Sequence, residues 1–416
     1  MSGVVALPKS RTTELGRYWP AIVACFVTAI FGWGFGFSGI SVYLAELQRL
    51  HGWPSGLIGS AITAYYLIGA VCLTRVHVVL QCFGARRLLA AGTILLGSGA
   101  TLFSRSQQPW EMFAAAALMA VGWAGCTSTA ISTTLAMYFE RQRGLAITLA
   151  LNGASAAGFT VGPVLVVLSQ EIGVGHAVPL AAFGLLAIVL PLIGFGLAAP
   201  TKVASAVPTS ASPDLSATDL LRSWRLWSIA LPFAMALAAQ VGLIVQLVSF
   251  LLPRLGSGGA ATALALTSIA AVSGRLALAA VIDRLHQRRA SAASFASQAG
   301  GLALMMLLPD QPAALYAGCA IFGMSVGNVI TFPALIVQRE FPATAFGLVI
   351  GLTAAAGQFA FSLMPALLGT IRDLTGSYFA VLAVCIILQT VAAVIVLIGA
   401  RTENGLAARR RTRGLF

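Results

Sequence analysis

The sequence predicts an all-α membrane protein, with twelve transmembrane helices in two pseudo-symmetric six-helix bundles. Three observations carry this expectation. Hydrophobic residues fill 58% of the 416 positions and charged residues only 9%, whereas soluble domains carry roughly 25% charged residues. Apolar runs of about 20 residues, the length that crosses a bilayer as a helix, recur from one end of the chain to the other. The cations between those runs alternate from sparse gap to rich gap.

The runs fall near 19–43, 57–80, 88–104, 110–138, 144–168, 177–198, 224–252, 260–282, 291–308, 313–338, 345–371 and 377–399. They are continuous in hydrophobicity rather than alternating, and lipid offers the backbone no hydrogen-bond partner. They are therefore helices and not barrel strands. Taken alternately, the gaps on one side hold nineteen cations, among them Arg17, Arg86, Arg143, Arg225, Arg288, Arg339 and Arg409. The other side holds four, Arg49, Arg105, Arg254 and Arg372. The positive-inside rule then puts both termini in the cytoplasm of a cell with the chain in its inner membrane. One missed helix would scramble the alternation.

The net charge of +13 thus records topology, and no nucleic-acid partner is expected. The basic run from Arg409 to Arg413 reads as a contact with lipid of the inner leaflet. The polar first 18 residues lead into a full-length span, so no cleaved leader is expected. The six cysteines share no metal-ligand or disulfide spacing and read as buried filler, and neither metal nor cofactor is expected.

The polar stretch 200–222 reads as a cytoplasmic linker. It divides an N-terminal six-helix bundle, 1–199, from a C-terminal bundle with a basic tail, 223–416. Repeated halves should show matching features at one separation. The segment from Gln81 to Arg87 matches that from Asp283 to Arg289, 202 residues on, and Gly162-Pro163 matches Met364-Pro365 at the same distance.

These features resemble the major facilitator superfamily over essentially the whole chain. The family's loop signature Asp-Arg-x-Gly-x-Arg-Arg appears as Asp283-Arg284-Leu285-His286-Gln287-Arg288-Arg289, with His286 replacing glycine. The first-half copy keeps Gly84, Arg86 and Arg87 but has Gln81 in place of the aspartate. Arg143-Gly144-Leu145-Ala146, followed by Gly153, Gly158 and Gly162-Pro163, is similar to the family's fifth helix. The resemblance implies two bundles that rock about a midplane cavity, with Asp283, Arg284, Arg288 and Arg86 as gating residues. The glycine-rich stretches Gly32 to Gly36 and Gly153 to Gly158 suit helices that slide past one another, and equally suit plain close packing.

Within the spans, an ionisable residue is a functional candidate, because inserting one costs about 2.5–3.5 kcal/mol on translocon scales. Every carboxylate falls in a gap or at a span edge, but Arg75 and Arg275 do not. Arg275 precedes Asp283 by eight residues, about 12 Å at helical rise, and so lies near the midplane. A guanidinium there with no carboxylate in reach seeks an anion, which its planar fork can hold at two points. The competing reading bonds it to helix carbonyls or polar groups of a neighbouring span. Arg75 lies within snorkelling reach and reads as a gating residue or headgroup contact, with substrate contact as the alternative. His77 reads as an interface histidine and, alternatively, as a pH reporter.

The polar residues Tyr65, Tyr66, Asn152, Gln240, Asn328 and Gln358 fall near span centres as candidates for the cavity, with Trp33 and Trp123 as flat walls. Helix–helix hydrogen bonding is the bland alternative for each. Gln298 and Gln389, on the ninth and twelfth spans, read as structural.

Arg275 spaced before Asp283 on the eighth span, together with the glycine-rich first span, resembles the monocarboxylate porter and oxalate–formate exchanger branch. The branch's cation on the eleventh helix, its lysine on the first and its aspartate one turn before the arginine (here Ala271) are absent. The resemblance implies a secondary active transporter, not an enzyme, that moves a small organic anion, a monocarboxylate, by alternating access. Its partner is that anionic small molecule, a coupled proton or counter-anion stays open, and a monomer is expected. Two rivals remain: an exporter of amphipathic compounds and a transporter-like ligand sensor.

Overall fold

A computed structural model describes residues 14–139, 142–197, 217–281, 285–342 and 345–413. Asp283, Arg284 and positions 200–216 of the expected linker lie outside the described residues; 217–222 is a short helix. Eleven helices among the described residues are long and apolar enough to cross a membrane. The longest, Trp224–Val281, turns at Gly256, where φ is +68°. That left-handed conformation costs glycine little, and the two limbs are the seventh and eighth spans. The count is thus twelve spans, and the molecule is a multi-pass membrane protein. The first span is longer than its apolar run, Glu14–His51, because its polar ends continue the helix beyond the hydrocarbon.

Several spans are broken where they approach the middle of the molecule. The fourth divides into Pro109–Ala124 and Ser128–Ala136 about Gly125, and the tenth into Pro312–Val326 and Asn328–Glu340 about Gly327. Those two glycines are 202 residues apart, the same separation that relates the loop signatures. The first span carries a five-residue π-helix, Gly34–Ser38. A π-turn widens the helix and leaves carbonyls to be satisfied from outside. Tyr43 donates its hydroxyl to the Phe35 carbonyl at 3.2 Å, and Tyr65 donates to the Gly36 carbonyl at 2.8 Å. Gly36 has no room for a side chain, since a Cβ there would stand 2.5 Å from the Trp123 ring and 2.7 Å from the Tyr65 hydroxyl.

The halves meet closely at one end. There the second and eleventh spans are in backbone contact: a Cβ on Gly59 would collide with the Pro365 carbonyl, and one on Gly369 with the Ser55 carbonyl. Asp373, at the end of the eleventh span, accepts the backbone N–H groups of Ser55 at 2.9 Å and Gly56 at 2.6 Å. A carboxylate at a helix N-terminus satisfies orphan donors and complements the dipole. The fifth and eighth spans also touch, Gly158 against Ser268 and Gly162 against Leu264. One apolar core runs across both halves here. A second cluster, containing Phe233, Phe295, Phe332, Val349 and Val396, belongs to the second half alone and lies toward the opposite, cation-rich end. There the two bundles have separate cores.

Arg288 was expected as a gate. The structure instead makes it a brace inside the second half. Its Nε and Nη2 donate to the two Glu340 carboxylate oxygens at 2.6 and 2.7 Å, and further bonds reach Ser228 and the Val396 carbonyl. The side chains are 2% and 6% exposed. The bidentate fork ties the seventh, ninth, tenth and twelfth spans together.

Removing one partner of a buried pair strands a charge, typically at a cost of about 3–5 kcal/mol. Glu340→Gln should therefore lower the thermal unfolding temperature of purified protein sharply. The double replacement Arg288→Met with Glu340→Met should recover most of the loss. A single variant as stable as the parent contradicts the brace. At the closed end, Gly59→Leu should wedge the second and eleventh spans apart. A cysteine placed at Thr63 should then react faster with a membrane-impermeant maleimide than in the parent background, and unchanged reactivity contradicts the packing described.

Candidate functional site

Between the bundles lies a cavity of about 720 Å³, within the usual range for small-molecule sites. It extends from the closed end, at Phe37 and Leu247, toward the cation-rich end, at Leu73, Ala334 and Ile350. Its walls come from both halves and are mostly apolar. Trp33 and Trp123 meet edge to face at 5.0 Å, and Tyr66 packs on Phe361 at 5.4 Å across the two halves. Aromatic surface on both sides gives a guest a flat-walled, mostly apolar space.

Arg275 lines this cavity. Its head lies along the backbone where the tenth span breaks: a Cβ on Gly327 would stand 2.8 Å from Nε and 2.9 Å from Nη2. One residue earlier, Gly274 lets the eighth span press against the Met324 carbonyl. Two glycines on crossing helices thus create the seat for the guanidinium. Among the described residues no carboxylate, carbonyl or side chain forms an ion pair or hydrogen bond with it. The cation is open to the cavity and uncompensated.

Tyr66, Gln358, Gln240 and Trp33 also line the cavity. The Tyr66 hydroxyl is buried and has no hydrogen-bond partner, which leaves its donor for a guest. Gln240 is partly committed, because its Oε1 accepts from Gln298 Nε2 at 3.0 Å. Gln298 in turn accepts from Gln389 Nε2 at 2.6 Å, and Gln389 reaches the Ala236 carbonyl. This chain of amides welds the seventh, ninth and twelfth spans, and only its inner end touches the cavity.

Other expected residues lie elsewhere. Tyr65 is withdrawn into the wall, where its hydroxyl serves the π-helix. Asn328 does not line the cavity; the break at Gly327 turns Val329, Ile330 and Pro333 to it and leaves Asn328 buried, its Nδ2 donating across the break to the Met324 carbonyl. Asn152 is exposed outside the lining, and the fifth span presents Ala154, Ser155 and Gly158 instead. Arg75 is exposed at the turn after the second span, off the cavity, and Arg86 is exposed near Gly194 within its own half. The His77 side chain lies outside the described residues. Ser155, Ser268, Thr353 and Phe361 also line the cavity. Small hydroxyl residues inside apolar runs carry no sequence signal of which way they face.

The family model of the major facilitator superfamily matches residues 24–365. Human monocarboxylate transporter 11 is 28% identical over 387 residues, which cover 87% of this chain and 79% of that protein. Rat monocarboxylate transporter 3 is 27% identical over 165 residues, covering 38% of this chain and 32% of that protein, so the alignment spans about a third of its length. A crystal structure of a mutant form of the nucleoside transporter NupG superposes with a TM-score of 0.76 at 12% identity, covering 92% of this chain and 99% of that one. Two bundles closed at one end, a shared separation of 202 residues between their landmarks, and a family match over most of the length lead to one conclusion: this chain belongs to the major facilitator superfamily.

Proposed function

We propose that this superfamily transporter carries a small organic anion with a single negative charge, a monocarboxylate, by alternating access across the inner membrane. The observation that supports it is the Arg275 guanidinium, which lines the cavity with no ion pair or hydrogen bond among the described residues. A carboxylate would satisfy it through two parallel N–H···O bonds, and the apolar walls would exclude competing water. Tyr66 would donate to the second face of the anion and Gln358 would fix its orientation. Trp33, Trp123 and Phe361 would pack the carbon skeleton. The names of the two aligned relatives agree with this class of cargo. With both termini cytoplasmic, the cavity described here opens to the cytoplasm, and the seal between the second and eleventh spans closes the other side. Neutralisation of Arg275 by cargo removes the cost of an uncompensated cation and would allow the bundles to close on it.

Charge-assisted hydrogen bonds are worth about 1.5–3 kcal/mol, which corresponds to roughly 10–100-fold in rate. In proteoliposomes, Arg275→Gln should lower kcat/KM for the best monocarboxylate by about that factor, and Arg275→Lys should retain part of the activity. A divalent analogue should move more slowly than its monovalent counterpart, since one cation cannot compensate two charges. Undiminished transport by Arg275→Gln, or faster transport of the dianion, would sink the proposal. The aromatic walls favour one other reading, an exporter of amphipathic compounds. On that reading, efflux of a neutral amphipathic dye would proceed equally well with Gln at position 275.

A further inference from the structure

At the sealed end, on the far side from the central cavity, a second cavity of about 450 Å³ lies between the halves. It is lined by Arg49 from the end of the first span, Arg254 from the end of the seventh and Arg372 from the end of the eleventh. That end of the molecule carries only four cations in its loops, and three of them converge here. The fourth, Arg105, is used elsewhere, donating Nε to the Gly175 carbonyl at 2.7 Å.

The carboxylates do not neutralise this cluster. Glu46, 1% exposed, is held by Arg49 Nε and Nη2 at 3.1 and 2.8 Å and by the Gln170 amide, so one carboxylate answers one arginine. Asp373 is committed to the N-terminus of the second span. Arg254 and Arg372 form no ion pair among the described residues. They are positioned on aromatic faces instead. The Arg254 guanidinium stands 4.4 Å from the Phe250 ring centre and donates Nη1 to the Phe250 carbonyl, and that of Arg372 stands 4.9 Å from Tyr378. The two rings meet edge to face at 5.5 Å. The Nε of Arg372 is buried and has no hydrogen-bond partner. Aromatic platforms fix the direction of a guanidinium without neutralising it.

We infer that this cavity is a second anion site, which takes a small carboxylate between Arg254 and Arg372 while the central cavity is shut from this side. Both arginines that take the anion belong to the second half, and Arg49, held by Glu46, forms the first half's side of the cavity. For its role in transport the site rests on the anion-carrier reading: it is the anteroom from which cargo reaches Arg275 when the seal parts. Its binding does not depend on Arg275.

The test is arginine labelling by phenylglyoxal, read residue by residue by mass spectrometry, on the full chain in phosphatidylcholine nanodiscs at low ionic strength. Sodium acetate is the probe. Saturating acetate should slow labelling of Arg254 and Arg372 by about tenfold, equally in the parent and in Arg275→Gln, with Arg275→Lys as the substitute should Gln impair folding. Labelling that acetate leaves unchanged overturns the inference. So does protection that vanishes with Arg275 replaced, which would assign the effect to the central cavity. Protection that requires phosphatidylglycerol in the disc would assign the cluster to lipid headgroups and also overturn it. Undiminished transport by Arg275→Gln with intact protection would instead sink the central reading and leave this site standing.

Discussion

The proposed transport chemistry depends on one guanidinium that lines the central cavity without an ion pair among the described residues. Among the described residues Arg275 has no carboxylate partner, and it lines the cavity. What holds it there is absence of side chain: Gly327 and Gly274 let the eighth and tenth spans approach until the arginine lies on broken backbone. The helix interruption, the close crossing and the exposed charge are one structural unit. A larger residue at either glycine would alter all three.

On the proposed function, the surrounding architecture makes that charge part of a switch. The halves are joined at one end by glycine-mediated backbone contacts and by a carboxylate on a helix N-terminus, interactions that can be exchanged for water without stranding a charge in lipid. Charges that must never be exposed are kept within one half, as in the Arg288 brace. Contacts between halves are thus cheap to break and contacts within a half are not, which is the energetic requirement for two rigid bodies that rock. The unequal division of the apolar core follows the same rule, continuous across the halves at the seal and separate at the cation-rich end.

Much of this was legible in the sequence because each feature left a one-dimensional trace. Span number came from hydrophobic runs and the alternation of cations, the duplication from the separation of 202 residues, and Arg275 from being a charge in an apolar run. The rest depends on which way a side chain faces and on partners far along the chain. Asn328 was misjudged because the break at Gly327 resets the helical phase, and Tyr65 because the π-helix claims its hydroxyl. Gln240 is bound to Gln298, 58 positions away. Glu340 could be recognised as the partner of Arg288 only once the ninth and tenth spans were packed, as could the convergence of Arg49, Arg254 and Arg372.

The account is tested most directly by a cryo-electron microscopy structure of the full chain with a bound monocarboxylate. It predicts density for the carboxylate in bidentate contact with the Arg275 guanidinium, with the carbon skeleton against Trp33, Trp123 and Phe361. Cargo density elsewhere in the cavity, with the Arg275 head bonded to a carbonyl or side chain of the protein itself, would contradict it.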